Sequence, residues 1–200
     1  MEYLLLATVG FVAALTPGPD IFYIIKTALT RGKNASFLAV LGVLSGNIIY
    51  LTLVALGLAA VGKTPLFQFI VGLFGAIYLI RVAVVIFNEK PELSKALLDS
   101  SSRLSIYRDG LLVNLSNPKA IIFFGVVITP FISKSITLSL GSLFFGIAVA
   151  FFMAGYFASS IEITPRVLKG VNRVSALIFL FFSFKLLITA YDAYTKLINL

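Results

Sequence analysis

Long apolar runs, separated by short polar connections, constrain the fold of this chain more than any other feature of its sequence. Hydrophobic residues make up 60% of the 200 residues, and charged residues make up 12%. An α-helix needs about 20 mainly apolar residues to cross the hydrocarbon core of a bilayer. The sequence therefore predicts an all-α integral membrane protein with six transmembrane helices, at about residues 3–25, 36–61, 66–88, 109–132, 137–160 and 172–195.

The residue types that are missing exclude several kinds of chemistry. The chain contains no cysteine and no histidine, which excludes disulfides, thiolate catalysis, haem ligation and the common zinc sites. We therefore predict a protein that is not an enzyme and that has no catalytic residue, no metal site and no cofactor. We attribute the net charge of +8 to basic residues in the cytoplasmic connections of a membrane protein, and not to a nucleic-acid partner.

Basic residues are distributed unequally between the two sides of the predicted membrane protein. The side with the 2–3 and 4–5 connections and the end of the last span contains three of them: Lys63, Lys134 and Lys196. The side with the 1–2, 3–4 and 5–6 connections contains ten: Lys26, Arg31, Lys33, Lys90, Lys95, Arg103, Arg108, Arg166, Lys169 and Arg173. Because lysine and arginine concentrate in cytoplasmic connections, we expect both termini to lie outside. Residues 3–25 are interpreted as a retained first span and not as a cleaved signal, because no positive charge precedes them.

A polar linker at residues 89–108 divides a single transporter domain (1–200) into two groups of three spans, 1–88 and 109–200. Shifting the second half back by 99 positions aligns three pairs of residues: Pro118 with Pro19, Lys119 with Asp20, and Gly141 with Gly42. Because each half has three helices, the halves enter the membrane from opposite sides. This arrangement is the inverted repeat of many secondary transporters, whose binding site lies near the midplane between paired broken helices.

The motif Thr16-Pro17-Gly18-Pro19-Asp20 interrupts the first apolar run. Each proline lacks a backbone N–H and clashes with the preceding turn, so a regular helix cannot pass through the motif. Irregular backbone at membrane depth is tolerated only where protein or a water-filled cavity surrounds it. We therefore predict that the first helix is broken, and we assign all five residues as candidates for substrate binding.

The fourth run contains Asn114, Asn117, Pro118 and Lys119. A lysine at the centre of a bilayer is unfavourable by roughly 2.5–3.5 kcal/mol on insertion scales, so a buried one indicates function. Two alternatives remain open, because the asparagines would also cap the ends of a broken helix and Lys119 would also reach the interface. We predict a broken fourth helix and add these four residues, with Asn47 of the second span, to the substrate-binding candidates.

Taken together, these motifs resemble those of the LysE/RhtB family of amino-acid exporters. The resemblance covers nearly the whole chain in order, at Thr16–Asp20, the basic connection around Gly32, Gly75–Leu79, Asn114–Ala120 and Val171–Ser175. It implies a secondary exporter in the bacterial inner membrane that moves amino acids or close relatives outward in exchange for protons. In that membrane, the outside position predicted for both termini is the periplasm, so both termini are expected to be periplasmic. The partners would be the substrate, protons and the lipid bilayer, and a homodimer is left open.

The charged candidates suit a zwitterionic amino acid. Lys119 and the N-termini of half-helices suit its carboxylate, and Asp20 suits its ammonium group. Asp20 is also a proton-coupling candidate, since burial favours the neutral form of a carboxyl group; alternatively, it only caps the second half-helix. Lys185 is the other proton-coupling candidate, with Asp20 or Asp192 as its partner, and Arg81 either extends to the interface or has a role in transport.

The predicted spans contain lysine and arginine but no excess of acidic residues that would bind a dibasic substrate such as lysine. This balance of charges favours neutral substrates such as threonine, homoserine or leucine. Two alternatives to amino-acid export fit the sequence less well. A divalent-cation exporter would need several oxygen ligands, whereas Asp20 is the only acidic residue well inside a span. A non-transporting membrane scaffold remains open, although it would have no use for two broken helices.

Overall fold

Six helices form the described part of the protein. The computed structural model describes residues 2–16, 18–56, 64–88, 103–117, 119–120, 123–124, 135–161 and 164–198. The helices are α1 (Glu2–Leu15), α2 (Pro19–Ala55), α3 (Pro65–Asn88), α4 (Arg103–Leu115), α5 (Ile136–Ser159) and α6 (Pro165–Ile198). No strand occurs among these described residues. The all-α class predicted from the apolar runs is confirmed.

Four of the helices, α2, α3, α5 and α6, are long and apolar enough to cross a membrane. Their surfaces carry many exposed large apolar side chains, among them Phe74, Phe145 and Phe184 at 67%, 66% and 63% exposure. A surface of this kind is unfavourable in water but not in lipid, because lipid tails solvate it. The structure therefore has the exterior of a membrane protein.

The predicted spans and the helices agree best where the apolar runs end sharply. Residues 66–88 and 137–160 correspond closely to α3 and α5, and residues 172–195 lie within α6. The linker predicted at 89–108 is wrong at its second end, because α4 begins at Arg103. Residues 89–102, and much of the fourth predicted span beyond 117, lie outside the described residues.

The helix α2 turns back on itself at Gly32, which has φ 78° and ψ −172°. Asp20 and Asn47 both accept a hydrogen bond from one nitrogen of Asn114, although a straight helix would separate them by about 40 Å. The two arms of α2, residues 19–31 and 33–55, therefore lie side by side. Only glycine adopts this positive φ readily. The turn falls in the basic connection expected between the first two spans.

The main helix contacts are α1 with α5, α2 with α4 and α5, and α3 with α6. Glycines bring several of these backbones close together. At four contacts a Cβ added to the glycine of one helix would meet a carbonyl oxygen of the other: Gly42 and Tyr107, Gly110 and Ala39, Gly10 and Leu143, and Gly146 and Ala7. Side chains at these positions would push the helices apart, so small residues set the close packing that is common in membrane helices.

Two apolar clusters fill the spaces between the helices. The larger one joins α1, α2 and α5 around the fully buried Ile24, Val43 and Leu143. The smaller one joins α3 and α6 around Leu79 and Phe179. A group of polar side chains lies beside the larger cluster, where α1 ends, α2 begins and α4 ends.

Candidate functional site

Three polar residues from distant parts of the chain meet at the start of α2. Asp20 lies in the first turn of α2, Asn47 in its second arm, and Asn114 in the last turn of α4. The Nδ2 atom of Asn114 donates to Asp20 Oδ2 at 2.9 Å and to Asn47 Oδ1 at 3.0 Å. Their exposed fractions are 7%, 2% and 0%. The structure thus brings together three of the residues predicted to bind substrate, and these three are called the Asp20 group below.

Lys119 lies at the edge of this group. Its ammonium group donates to the backbone oxygen of Thr16 at 2.7 Å, and its backbone N–H donates to Asn117 Oδ1 at 3.0 Å. Thr16 follows the last residue of α1, where carbonyl oxygens lack helical partners and a cation is favourable. Asn117 is itself buried. Lys119 therefore connects the end of α1 to the segment after α4.

Gly18 and Pro19 shape the junction between α1 and α2. A Cβ at Gly18 would lie 3.3 Å from Lys119 Cδ and 3.7 Å from its Nζ atom, so a larger residue would displace the lysine. Pro19 is the first residue of α2, where its missing N–H removes no helical hydrogen bond. Pro17 and Pro118, which were also predicted to bind substrate, lie outside the described residues.

Asp20 does more than cap its own helix. Gly18 is the N-cap residue of α2 and no side chain caps it, whereas the Asp20 carboxylate accepts a hydrogen bond from α4. The first turn of a helix favours a negative charge. The place of Asp20 in the first turn of α2 and its hydrogen bond from Asn114 together orient one carboxylate oxygen toward α4.

Three polar atoms of this group have no hydrogen-bond partner among the described residues, although all three are buried. They are Asp20 Oδ1, Asn47 Nδ2 and Asn114 Oδ1. Buried polar atoms are almost always paired, because an unpaired one costs about 1–3 kcal/mol. Asp20 and Asn47 line a cavity, so one acceptor and one donor are available there to a small polar molecule, whereas Asn114 Oδ1 lies against Gly46.

A small cavity of about 30 Å³ lies against these residues. Its polar wall contains Asp20, Asn47, Asn117 and Lys119. Its apolar wall comes from α1, α5 and the segment after α4, and includes Ala14, Phe124, Ile147 and Phe151. A cavity of this size has room for about one or two water molecules. A larger molecule enters only if the surrounding helices move apart.

Tyr50, which the sequence predicts with Asn47 as a residue lining the cavity from the second span, supports the site from the second arm of α2 but is not part of the cavity wall. Its hydroxyl donates to the backbone oxygen of Leu115 at 2.8 Å. Its ring stacks on Phe124 with a centroid distance of 5.5 Å. Tyr50 lies three residues after Asn47, and this spacing places both side chains on one helix face. That spacing was the signal available in the sequence.

The structure does not bring Lys185 into this group. Its side chain is exposed on α6, with its ammonium group 5.5 Å from the centroid of the Phe181 ring. No ion pair joins it to Asp20 or Asp192 within the part of the chain that the structure describes. Arg81 is also distant from the Asp20 group and lines a different cavity.

Comparison with known proteins gives a family. The model of the family described as LysE type translocator matches residues 11–190. A threonine efflux protein of Escherichia coli (strain K12) is 28% identical over 184 residues, which cover 88% of each chain. A threonine efflux protein of Salmonella typhi is 30% identical over 142 residues, covering 68% of this chain and 69% of the relative.

Another relative is a leucine efflux protein of Klebsiella pneumoniae, which is 32% identical over 115 residues, or 55% of this chain and 53% of the relative. No solved structure matches the chain. The family match covers most of the sequence and includes every residue of the Asp20 group. The chain therefore belongs to the LysE type translocator family.

Proposed function

We propose that this protein is a secondary exporter of small neutral amino acids across the bacterial inner membrane. The observation that carries the proposal is the buried group of Asp20, Asn47 and Asn114, with its three unpaired polar atoms beside Lys119. Relatives named for threonine and leucine efflux support the same class of substrate. A buried polar group between membrane helices is a functional site by default.

The two charged groups of an amino acid match the two sides of the site. Lys119 uses one donor on Thr16 and has two more for a carboxylate, since an ammonium group has three. The free oxygen of Asp20, which lines the cavity, accepts from the substrate ammonium group. Charged hydrogen bonds of this kind are about twice as strong as neutral ones.

The apolar wall of the cavity favours a neutral side chain. Ala14, Ile147 and Phe151 line it from α1 and α5, and a charged side chain facing them would lose its hydration without gaining a partner. A small aliphatic or hydroxylated side chain, such as that of threonine, homoserine or leucine, has no such penalty. The wall thus supports the substrate class predicted from the sequence.

An inverted repeat with broken first and fourth helices would place this site between the two halves. The packing supports that arrangement: Gly10 meets Leu143 in the α1–α5 pair, and Gly110 meets Ala39 in the α4–α2 pair. The two glycines are 100 positions apart, and the two partners are 104 apart. The other close glycine contacts of these helix pairs are Gly146 with Ala7 and Gly42 with Tyr107. These two glycines are 104 positions apart, and their partners are 100 apart. Opening the site alternately to each side would then be a movement of one half against the other.

We further propose that Asp20 carries the coupled proton. An ionised Asp20 attracts the substrate ammonium group, and a protonated Asp20 does not, so proton binding and substrate binding compete at one carboxylate. The test is the pH dependence of transport by Asp20→Asn, which cannot ionise. If that variant transports with the pH dependence of the native protein, Asp20 is not the proton carrier.

Efflux of a panel of radiolabelled amino acids from loaded vesicles, with and without a proton gradient, tests the proposal. We expect gradient-dependent efflux of a small neutral amino acid, reduced about tenfold or more in Asp20→Asn and in Lys119→Ala, because each loses a charged hydrogen bond. Asp192→Asn and Lys196→Ala are matched controls, since both side chains are exposed on α6, and they should transport normally. No efflux of any amino acid by the native protein would refute the proposal.

A further inference from the structure

A second polar cavity, of about 180 Å³, lies between the first arm of α2, α3 and α4. It shares no residue with the cavity beside Asp20. Four cationic side chains and one carboxylate line it: Lys26, Arg31, Arg81, Arg108 and Asp109. Cations from three helices therefore face one space, which is several times larger than the cavity beside Asp20.

Two tyrosines hold the helices around this second cavity in place. The hydroxyl of Tyr23 in α2 donates to the backbone oxygen of Ile106 at 3.0 Å. The hydroxyl of Tyr78 in α3 donates to the backbone oxygen of Asp109 at 3.3 Å. Both tyrosines also line the cavity. Because α4 is tied in this way to α2 and α3, the cations are presented from a fixed frame and not from a loose surface loop.

The single carboxylate cannot balance the three arginines, Arg31, Arg81 and Arg108. Asp109 pairs with its neighbour Arg108 at 3.7 Å, and the two side chains are 41% and 62% exposed. An exposed pair of this kind contributes little. Arg31 and Arg81 form no ion pair with any residue that the structure describes. Like charges that share a cavity repel one another, so the group is more stable with an anion among its members.

We propose that this cavity binds one oxyanion, a phosphate or a carboxylate group. Guanidinium groups are planar forks with paired N–H donors that match both kinds of anion. Three of them line the cavity, one from each of α2, α3 and α4. The anion has two possible sources, the headgroup of an anionic lipid and a small free anion. The assignment is independent of amino-acid export, and its failure would leave that proposal unchanged.

Binding is measured on the full-length protein purified in a neutral detergent, by the rise in its unfolding temperature. One series receives phosphatidylglycerol, a second receives inorganic phosphate, and a third receives phosphatidylcholine, with chloride used to match ionic strength in all three. Stabilisation by phosphatidylglycerol alone identifies the lipid headgroup as the source. If inorganic phosphate also stabilises the protein, a small free anion is identified as a source. Equal unfolding temperatures in all three series would overturn the proposal.

Arginine variants test whether this cavity is the one that binds. Arg81→Gln and, independently, Arg31→Gln should raise the anion concentration needed for half of the stabilisation about tenfold, the expected loss for one charged hydrogen bond. Arg81→Lys keeps the charge but loses the fork, so its loss should be smaller. Arg173→Gln is the control, because Arg173 is exposed on α6 outside the cavity. If Arg173→Gln weakens the anion effect as much as the two cavity variants do, the cavity is not the binding site.

Discussion

Gly46 lies where the second arm of α2 passes Asn114, and its replacement by alanine tests how closely these two helices are packed. A Cβ at Gly46 would lie 2.9 Å from both Cβ and Cγ of Asn114 and would also meet Oδ1 of that residue. Asn114 cannot move aside freely, because its Nδ2 atom is bonded to both Asp20 and Asn47. The variant therefore strains the polar group without changing any polar residue.

The expected magnitude follows from two opposing terms. Replacing glycine by alanine inside a helix gains about 0.5–1 kcal/mol, because the unfolded chain loses freedom. Adding a methyl group to a fully packed contact costs about 1–3 kcal/mol. Gly141→Ala is a matched control inside α5, since a Cβ there has nothing within 4 Å. The difference between the two variants isolates the packing cost of about 1–3 kcal/mol.

The assay is unfolding of the purified protein in mixed micelles, followed by circular dichroism, with efflux measured on the same variants. Gly46→Ala should lower the free energy of unfolding and reduce efflux, because the hydrogen bonds of Asn114 are displaced. Gly141→Ala should be at least as stable as the native protein and should transport normally. If the two variants are equally stable, α2 and α4 are not in contact at Gly46 and the geometry of the Asp20 group is wrong.

Three further substitutions have defined outcomes. Gly32→Ala places a side chain at φ 78° with nothing within 4 Å, so backbone strain alone should lower the free energy of unfolding by about 1–2 kcal/mol; an unchanged denaturation midpoint would contradict the turn in α2. Tyr50→Phe removes the hydrogen bond to Leu115 but keeps the ring stack, and should lower that free energy by about 1 kcal/mol; Tyr50→Leu, which also loses the stack, should unfold earlier still. Asn114→Leu leaves acceptors on Asp20 and Asn47 without their donor, so thermal unfolding should show a loss of about 1–3 kcal/mol per unpaired acceptor, and native stability would refute the hydrogen-bond pattern.

Hydropathy was enough to predict the helices that lipid surrounds. The spans at 66–88 and 137–160 agree with α3 and α5 because both ends of these helices coincide with a change from apolar to polar residues. The same pattern does not predict a helix whose first residues are not mainly apolar. Arg103–Arg108 is polar and was assigned to a linker, but it forms the first half of α4, where Gly110 allows it to pack against α2.

The Asp20 group could be predicted in part because an asparagine or aspartate inside an apolar run is itself a strong signal. Such residues are unfavourable in lipid wherever they face it, so Asp20, Asn47 and Asn114 were expected to turn inward, and the structure brings them together. Lys185 gave the same signal, but its long side chain is exposed on α6. Residues 176–190 around it are mainly apolar, so no periodic pattern showed which face of α6 the lysine occupies.

The register of the proposed inverted repeat needed the three-dimensional contacts. A single shift of 99 aligned Gly42 with Gly141, but the packing equates Gly42 with Gly146, because each of these two meets a carbonyl oxygen of the opposite first helix. Gly141 has nothing within 4 Å of a Cβ. One constant shift cannot describe both the break and the second helix of each half. In the proposed repeat the two halves would then differ in length between these points, while the shift of 99 still aligns Asp20 with Lys119 at the two breaks. The proposed site would thus have one acidic and one basic side, which match the two charged groups of an amino acid.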